Sequence, residues 1–116
     1  MNKLAIIGGT GLDSLGVIQV DKREVIDTPY GEPSGPITRG SMFGREVLFL
    51  PRHGYSHHLP PHQVNYRANL WALSKMGADA VLAVAAVGGI GKEMGPGRVV
   101  IPDQLIDYPW GRASTF

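Results

Sequence analysis

The stretch Lys3-Leu4-Ala5-Ile6-Ile7-Gly8-Gly9-Thr10-Gly11 decides the fold class. A short apolar run that stops at paired glycines reads as a buried strand ending in a tight turn. The pattern recurs downstream, where residues 80–87 are apolar throughout and end at Gly88-Gly89. Between the two, Val47-Leu48-Phe49-Leu50 is continuously apolar, as a central strand buried on both faces would be. Residues 64–76 predict a helix: Val64, Ala68, Leu70, Trp71 and Leu73 fall roughly on one face, Asn65, Arg67, Asn69, Ser74 and Lys75 take the rest, and Gly77 supplies a C-terminal cap. Strands, then a helix, then strands predict an α/β protein with a mixed central sheet and flanking helices.

The remaining segments fit around these elements. Residues 17–28 mix polar and β-branched side chains and predict one or two strands. Residues 30–36 hold Gly31, Pro33, Gly35 and Pro36 and predict a loop. The runs 37–42 and 45–50 flank Phe43-Gly44 and predict a hairpin. Residues 51–63 form a loop rich in proline and histidine, and residues 98–101 predict a last strand after the turn residues Gly95-Pro96-Gly97. Ligand sites in open α/β sheets form beyond the carboxyl ends of strands. The loops at 8–11, 51–58 and 87–91 are therefore expected to converge.

Composition narrows the function. The 116 residues suffice for one small core, and 43% hydrophobic with 18% charged residues is ordinary for a globular chain. A formal net charge of +1 leaves no broad electrostatic footprint for nucleic acid or an anionic membrane, so any bound anion must be held by a local cluster. Cysteine is absent, which excludes disulfides and thiolate metal sites. No apolar run approaches the roughly 20 residues of a membrane span. The run after Lys3 is too short for the roughly 7–15 residue core of a signal peptide, so a cytoplasmic location is expected.

The candidate chemistry lies in the same loops. Gly8-Gly9-Thr10-Gly11 offers backbone N–H groups at close approach and one hydroxyl, a combination suited to phosphate. Arg52-His53 follows the buried strand directly, where a guanidinium can grip a phosphate through two parallel N–H bonds and the imidazole can add a donor. The small residues of Val84-Ala85-Ala86-Val87-Gly88-Gly89 would expose backbone N–H groups to a ligand. Gly9, Gly11 and Ser14 also occupy three positions of a dinucleotide-binding fingerprint, with Asp27 as a distant ribose-binding acid. That fingerprint must open a helix, and Gly16 followed by Val17, Ile18 and Val20 makes a poor one. Four histidines, His53, His57, His58 and His62, raise the question of zinc. Cysteine is lacking, there is no H-E-x-x-H, and no acidic residue falls between Glu46 and Asp79, so no metal site is expected. No nucleophile–base pair and no paired carboxylates stand out, and no catalytic residue is identified in the chain.

Several stretches taken together resemble the methylthioadenosine phosphorylases of the purine nucleoside phosphorylase family. They are Ile6-Ile7-Gly8-Gly9-Thr10-Gly11-Leu12, Thr28-Pro29-Tyr30-Gly31, Arg52-His53-Gly54, Val64-Asn65-Tyr66-Arg67-Ala68-Asn69-Leu70-Trp71-Ala72-Leu73 and Asp103-Gln104-Leu105-Ile106-Asp107, in one colinear order. Gly88-Gly89 and Asp107-Tyr108 look most similar to the bacterial methylthioinosine, 6-oxopurine branch.

The resemblance implies a nucleoside phosphorylase fold assembled as a homotrimer. It implies phosphorolysis of a 5′-methylthio purine nucleoside, methylthioinosine or methylthioadenosine, to free purine and 5-methylthioribose 1-phosphate in purine salvage. Phosphate is then a co-substrate, and no cofactor is implied. The alternatives are a 6-oxopurine nucleoside phosphorylase acting on inosine or guanosine, and a nucleotide-binding domain without catalysis. By the family motif, Thr10, Arg52, His53, Ala85 and Ala86 line the phosphate, Ala86 through its backbone N–H. His57 matches a histidine near the 5′ side of the ribose. Relatives carry Thr or Asn at the position of Ala85, so a donor is missing there. Family members are about twice as long, which makes residues 1–116 the N-terminal part of a single domain. Purine recognition is then expected from later residues, and the 116-residue chain is expected to be inactive alone.

Overall fold

The structure is a computed structural model that describes residues 3–12, 16–109 and 111–113. Ser14, Trp110 and the terminal Ser114-Thr115-Phe116 of the sequence reading lie outside the described residues. The chain divides into two units, Met1–Ala86 and Val87–Phe116.

The first unit holds all the helices and strands found among the described residues. Its strands are β1 (Leu4–Gly8), β2 (Gln19–Glu24), β3 (Ile37–Met42), β4 (Arg45–Pro51) and β5 (Ala80–Ala83), and its helix is α1 (Tyr66–Lys75). They form one sheet in the order β2-β3-β4-β1-β5. The β2–β3 and β3–β4 pairs are antiparallel, whereas β1 runs parallel to both β4 and β5. The sheet is mixed, as expected, with α1 and a single turn of 3₁₀ helix at Pro61–Gln63 as the helical elements among the described residues.

Local chemistry sets the element boundaries. The β3–β4 hairpin turns at Phe43 and Gly44, both at positive φ (49° and 74°), the backbone that a two-residue turn needs to match strand twist. The helix starts later than its apolar pattern implies, because the Asn65 side chain accepts from the Ala68 amide at 3.2 Å and so caps it. It ends where Gly77, at φ 86°, donates to the Ser74 carbonyl while the Ala78 amide reaches the Leu73 carbonyl. This is a Schellman closure.

Side-chain alternation in β1 and β4 divides the core into two layers. Ala5, Ile7, Leu48 and Leu50 pack with Ile37 and with Ala72, Leu73 and Met76 on the α1 side. Ile6, Val47 and Phe49 point to the other face, with Ile18. A strand buried on both faces has no polar positions to spare, which is why residues 47–50 are all apolar.

Three expectations need correction. Trp71 is only half-buried, with the Lys75 ammonium over its ring, and Leu70 is exposed, while Asn69, read as a polar-face residue, is buried. The helix turns Ala68, Asn69, Ala72 and Leu73 inward. The strand over residues 80–87 ends at Ala83, and residues 98–101 form no strand. In the second unit the described residues make turns, closed by Met94 to Gly91 and Arg98 to Gly95 backbone bonds, with Val99 and Ile101 exposed. An apolar run becomes a strand only where a neighbour takes up its backbone groups.

Across β2, β3 and β4, Lys22, Glu24, Arg39, Glu46 and then Lys3 form a ladder of alternating charges with contacts of 3.0–3.1 Å. The hydrogen bond from Lys22, with the charges of Lys22 and Arg39, holds Glu24 below the usual glutamate range. Being depressed, this group supports the fold above its unfolded value and loses that support as pH falls through the folded one. Carboxyl NMR should show Glu24 titrating low and moving up in Lys22→Met. Leu73→Ala, at a fully buried site, should cost about 2–5 kcal/mol in urea unfolding, and Leu70→Ala a fraction of that.

Candidate functional site

Parallel pairing brings the carboxyl ends of β4, β1 and β5 to one edge of the sheet. The chain leaves β1 through a tight turn in which the Leu12 amide donates to the Gly9 carbonyl at 2.9 Å, with Thr10 exposed at the corner and Gly11 at φ 86°. A positive φ at the third turn position requires glycine.

The chain leaves β4 at Arg52, whose amide extends the ladder to the Gly8 carbonyl at 2.7 Å. The Arg52 Nη2 then donates to the Val84 carbonyl at 2.8 Å, just past the end of β5. This reach crosses directly over Gly9. A Cβ on Gly9 would stand 2.7 Å from the Val84 oxygen, 3.0 Å from Arg52 Nη1 and 3.3 Å from the Ala85 Cα. Gly9, Arg52 and Ala85 therefore meet within contact distance, and Ala86 follows Ala85, exposed. The first two of the three loops expected to converge do so, joined by residues 84–86; residues 87–91 belong to the second unit.

His53 is buried, and its Nδ1 lies 2.8 Å from the Leu59 carbonyl while the Leu59 amide donates back to the His53 carbonyl at 3.0 Å. A carbonyl only accepts, so Nδ1 carries the ring hydrogen and Nε2 holds a lone pair in the neutral ring. The expectation that His53 simply donates to an anion is thus narrowed: Nε2 donates only in the imidazolium. His57, exposed and at φ 53°, sets its ring 4.9 Å from that of His53, centroid to centroid. His58 is held by Ser56, Oγ to Nδ1 at 2.9 Å. Gly54, at φ 83°, leaves the space that the His58 ring occupies.

Position and charge together single out Arg52. It stands where the ends of β4, β1 and β5 meet, and among the described residues no carboxylate pairs with it, whereas Arg39 meets two. An arginine spending one N–H on a carbonyl, with its charge unmatched, beside an exposed threonine and a glycine turn, can bind an oxyanion. No three ligand-type side chains gather as a metal set among the described residues. A recess of about 360 Å³ lies along residues 25–36, but the acidic Asp27 and Glu32 are among its lining and none of Thr10, Arg52, His53, His57, Ala85 and Ala86 is. Residues 16–24 turn into β2 rather than forming a helix, so the dinucleotide fingerprint lacks its structural context.

Sequence reading missed two buried residues, Ser34, which bonds to the Arg52 carbonyl, and Asn69, which bonds to Ser34. An asparagine on the inward face of a helix was the available signal.

Comparison with known proteins identifies the family. The family model described as the phosphorylase superfamily matches residues 3–116. The chain is 56% identical, over its full length, to a probable S-methyl-5′-thioinosine phosphorylase of Pseudomonas syringae pv. tomato, of which it covers 47%. It is 51% identical over 113 residues to the S-methyl-5′-thioadenosine phosphorylase of Hyperthermus butylicus, covering 97% of this chain and 41% of the relative. A methylthioadenosine phosphorylase from Schistosoma mansoni, solved in complex with adenine, superposes with a TM-score of 0.69 at 40% identity, over 72% of this chain and 30% of that one. The fold is that of a nucleoside-phosphorylase type of α/β protein. The chain belongs to the phosphorylase superfamily, and spans less than half the length of these curated relatives.

The crowding at Gly9 gives a direct test. Gly9→Ala should destabilise the protein by about 1–3 kcal/mol in urea unfolding, whereas Gly16→Ala, with nothing within 4 Å of its added Cβ, should be close to neutral.

Proposed function

We propose that the protein carrying this chain phosphorolyses a 5′-methylthio purine nucleoside, methylthioinosine or methylthioadenosine, in purine salvage. Inorganic phosphate is the co-substrate and no cofactor takes part. The observation that carries this reading is the unmatched guanidinium of Arg52 where the ends of β4, β1 and β5 meet. The relatives' names supply the nucleoside.

In this reading the free N–H groups of Arg52, the Thr10 hydroxyl and the Ala86 amide hold the phosphate. His53 contributes through Nε2, donating as an imidazolium or accepting from the hydroxyl of monohydrogen phosphate. The site lowers the barrier by position and charge. Phosphate dianion faces the cationic sugar that develops as the C1′–N bond lengthens. Its oxygen then bonds to C1′, and the bond's electrons leave with the purine, which takes up a proton. Residues 1–116 form the N-terminal part of one phosphorylase domain, and later residues recognise the purine. His57 lies toward the 5′ substituent, and the protein works as a cytoplasmic homotrimer. The 116-residue chain alone does not turn over nucleoside.

On the family resemblance a side-chain donor is expected at the position of Ala85, so phosphate is held by one hydrogen bond fewer. Each hydrogen bond to a charged group is worth roughly 1.5–3 kcal/mol. In phosphorolysis assays of the full gene product, Arg52→Ala should therefore lower kcat/KM for phosphate by about 10²-fold or more, since it removes more than one such bond. Ala85→Asn should tighten phosphate by about tenfold, read as KM for phosphate, and no gain would count against a missing donor. Retention of full phosphate dependence in Arg52→Ala would overturn the reading.

A further inference from the structure

Arg52 is held at its amide, its carbonyl and one guanidinium nitrogen, and one of these restraints comes from residues distant in sequence. Its amide is fixed by the Gly8 carbonyl and its side chain by the Val84 carbonyl. Its own carbonyl accepts from Ser34 Oγ at 2.6 Å. Ser34 is itself clamped by Asn69 of α1: the Asn69 Oδ1 accepts from the Ser34 amide at 2.8 Å, and Nδ2 donates to Ser34 Oγ at 3.0 Å. Ser34 and Asn69 are both buried, at 4% and 2% exposure. The hydrogen bonds run head to tail, from the Asn69 amide to the Ser34 hydroxyl to the Arg52 carbonyl, a direction in which each polarises the next.

The bonded carbonyl belongs to the peptide that joins Arg52 to His53. Fixing its plane fixes the direction in which both functional side chains depart. Asparagine is a poor helix former, and a buried apolar residue would serve packing better. The Asn69 position is therefore better explained by the peptide it holds than by helix stability. The loop bearing Ser34 is tied down a second time, by Asn65 Nδ2 to the Tyr30 carbonyl at 2.7 Å, so the serine is delivered from a braced segment.

We infer that Ser34 and Asn69 are positioning residues that orient the Arg52–His53 peptide for anion binding, an inference that presupposes the phosphate site proposed above. Neither touches substrate; they act through Arg52 and His53.

The test uses the full gene product. Ser34→Ala removes the hydroxyl while leaving the amide that Asn69 accepts from, and Ser34→Thr keeps a hydroxyl. Melting temperature and separate KM values for phosphate and for methylthioinosine are measured for each, alongside Arg52→Ala. Ser34→Ala is expected to raise KM for phosphate about tenfold, with KM for nucleoside within twofold and recovery in Ser34→Thr. A lower melting temperature with phosphate KM within twofold of the parent overturns the inference, as does an equal rise in both KM values. If Arg52→Ala itself leaves phosphate KM unchanged, the phosphate site falls, and the positioning role with it. If Arg52→Ala loses phosphate and Ser34→Ala does not, the positioning role falls alone. Should Ser34→Ala not fold, the unaltered protein still decides. Its Asn69 side-chain amide resonance is expected to shift when inorganic phosphate is added, and a resonance that stays in place overturns the inference.

Discussion

The hydrogen bond from the Arg52 guanidinium to the Val84 carbonyl organises the edge of the sheet that carries the candidate site. It spans β1 to join the segments that follow β4 and β5, and it does so through the space a side chain on residue 9 would fill. The glycine after β1, the arginine after β4 and the small residues after β5 are thus one steric arrangement written in three places. Each loses its purpose without the others. The hydrophobic layers beneath set the distances: β1 and β4 are paired residue for residue from Leu4 and Val47 to Gly8 and Pro51, so the turn glycines arrive level with Arg52.

Much of this was legible in the sequence because it follows from period and punctuation. Residues 47–50, apolar without interruption, could only be a strand covered on both faces, and Phe43-Gly44 between two extended runs could only be a tight hairpin. The anion-binding candidates were legible because Gly9, Thr10 and Arg52 each follow a strand end. What stayed hidden depends on partners distant in sequence. Ser34 and Asn69 are 35 residues apart and look like ordinary loop and helix-surface residues until the fold brings them together. The tautomer of His53 is set by the Leu59 carbonyl six residues on, which no motif displays.

The misread strands have a common cause. Residues 80–87 and 98–101 are apolar enough for strands, but a strand also requires a neighbour for its N–H and C=O groups. β5 pairs with β1 alone, lies at the edge of the sheet and is exposed along its length. Its pairing stops where β1 turns away at Gly8, and just past Ala83 the chain is held by the Val84–Ile7 backbone bond and the Arg52 side chain. Hydrophobic pattern states a preference, and topology decides whether it can be met.

The charge pattern carries the same lesson toward function. The net charge of these 116 residues is +1, so this part of the protein does not draw anions by an overall field. Selectivity has to arise from what surrounds one cation. Arg39, flanked by Glu24 and Glu46, is neutralised within the sheet. Arg52 sits within a stretch, from Glu46 to Asp79, that has no acidic residue, and its side chain is held by a neutral carbonyl. A carbonyl orients a guanidinium without cancelling its charge, whereas a carboxylate would do both. In the proposed anion site the fold positions Arg52 with dipoles, through the Gly8, Val84 and Ser34 contacts, and the ionic partner comes from solution.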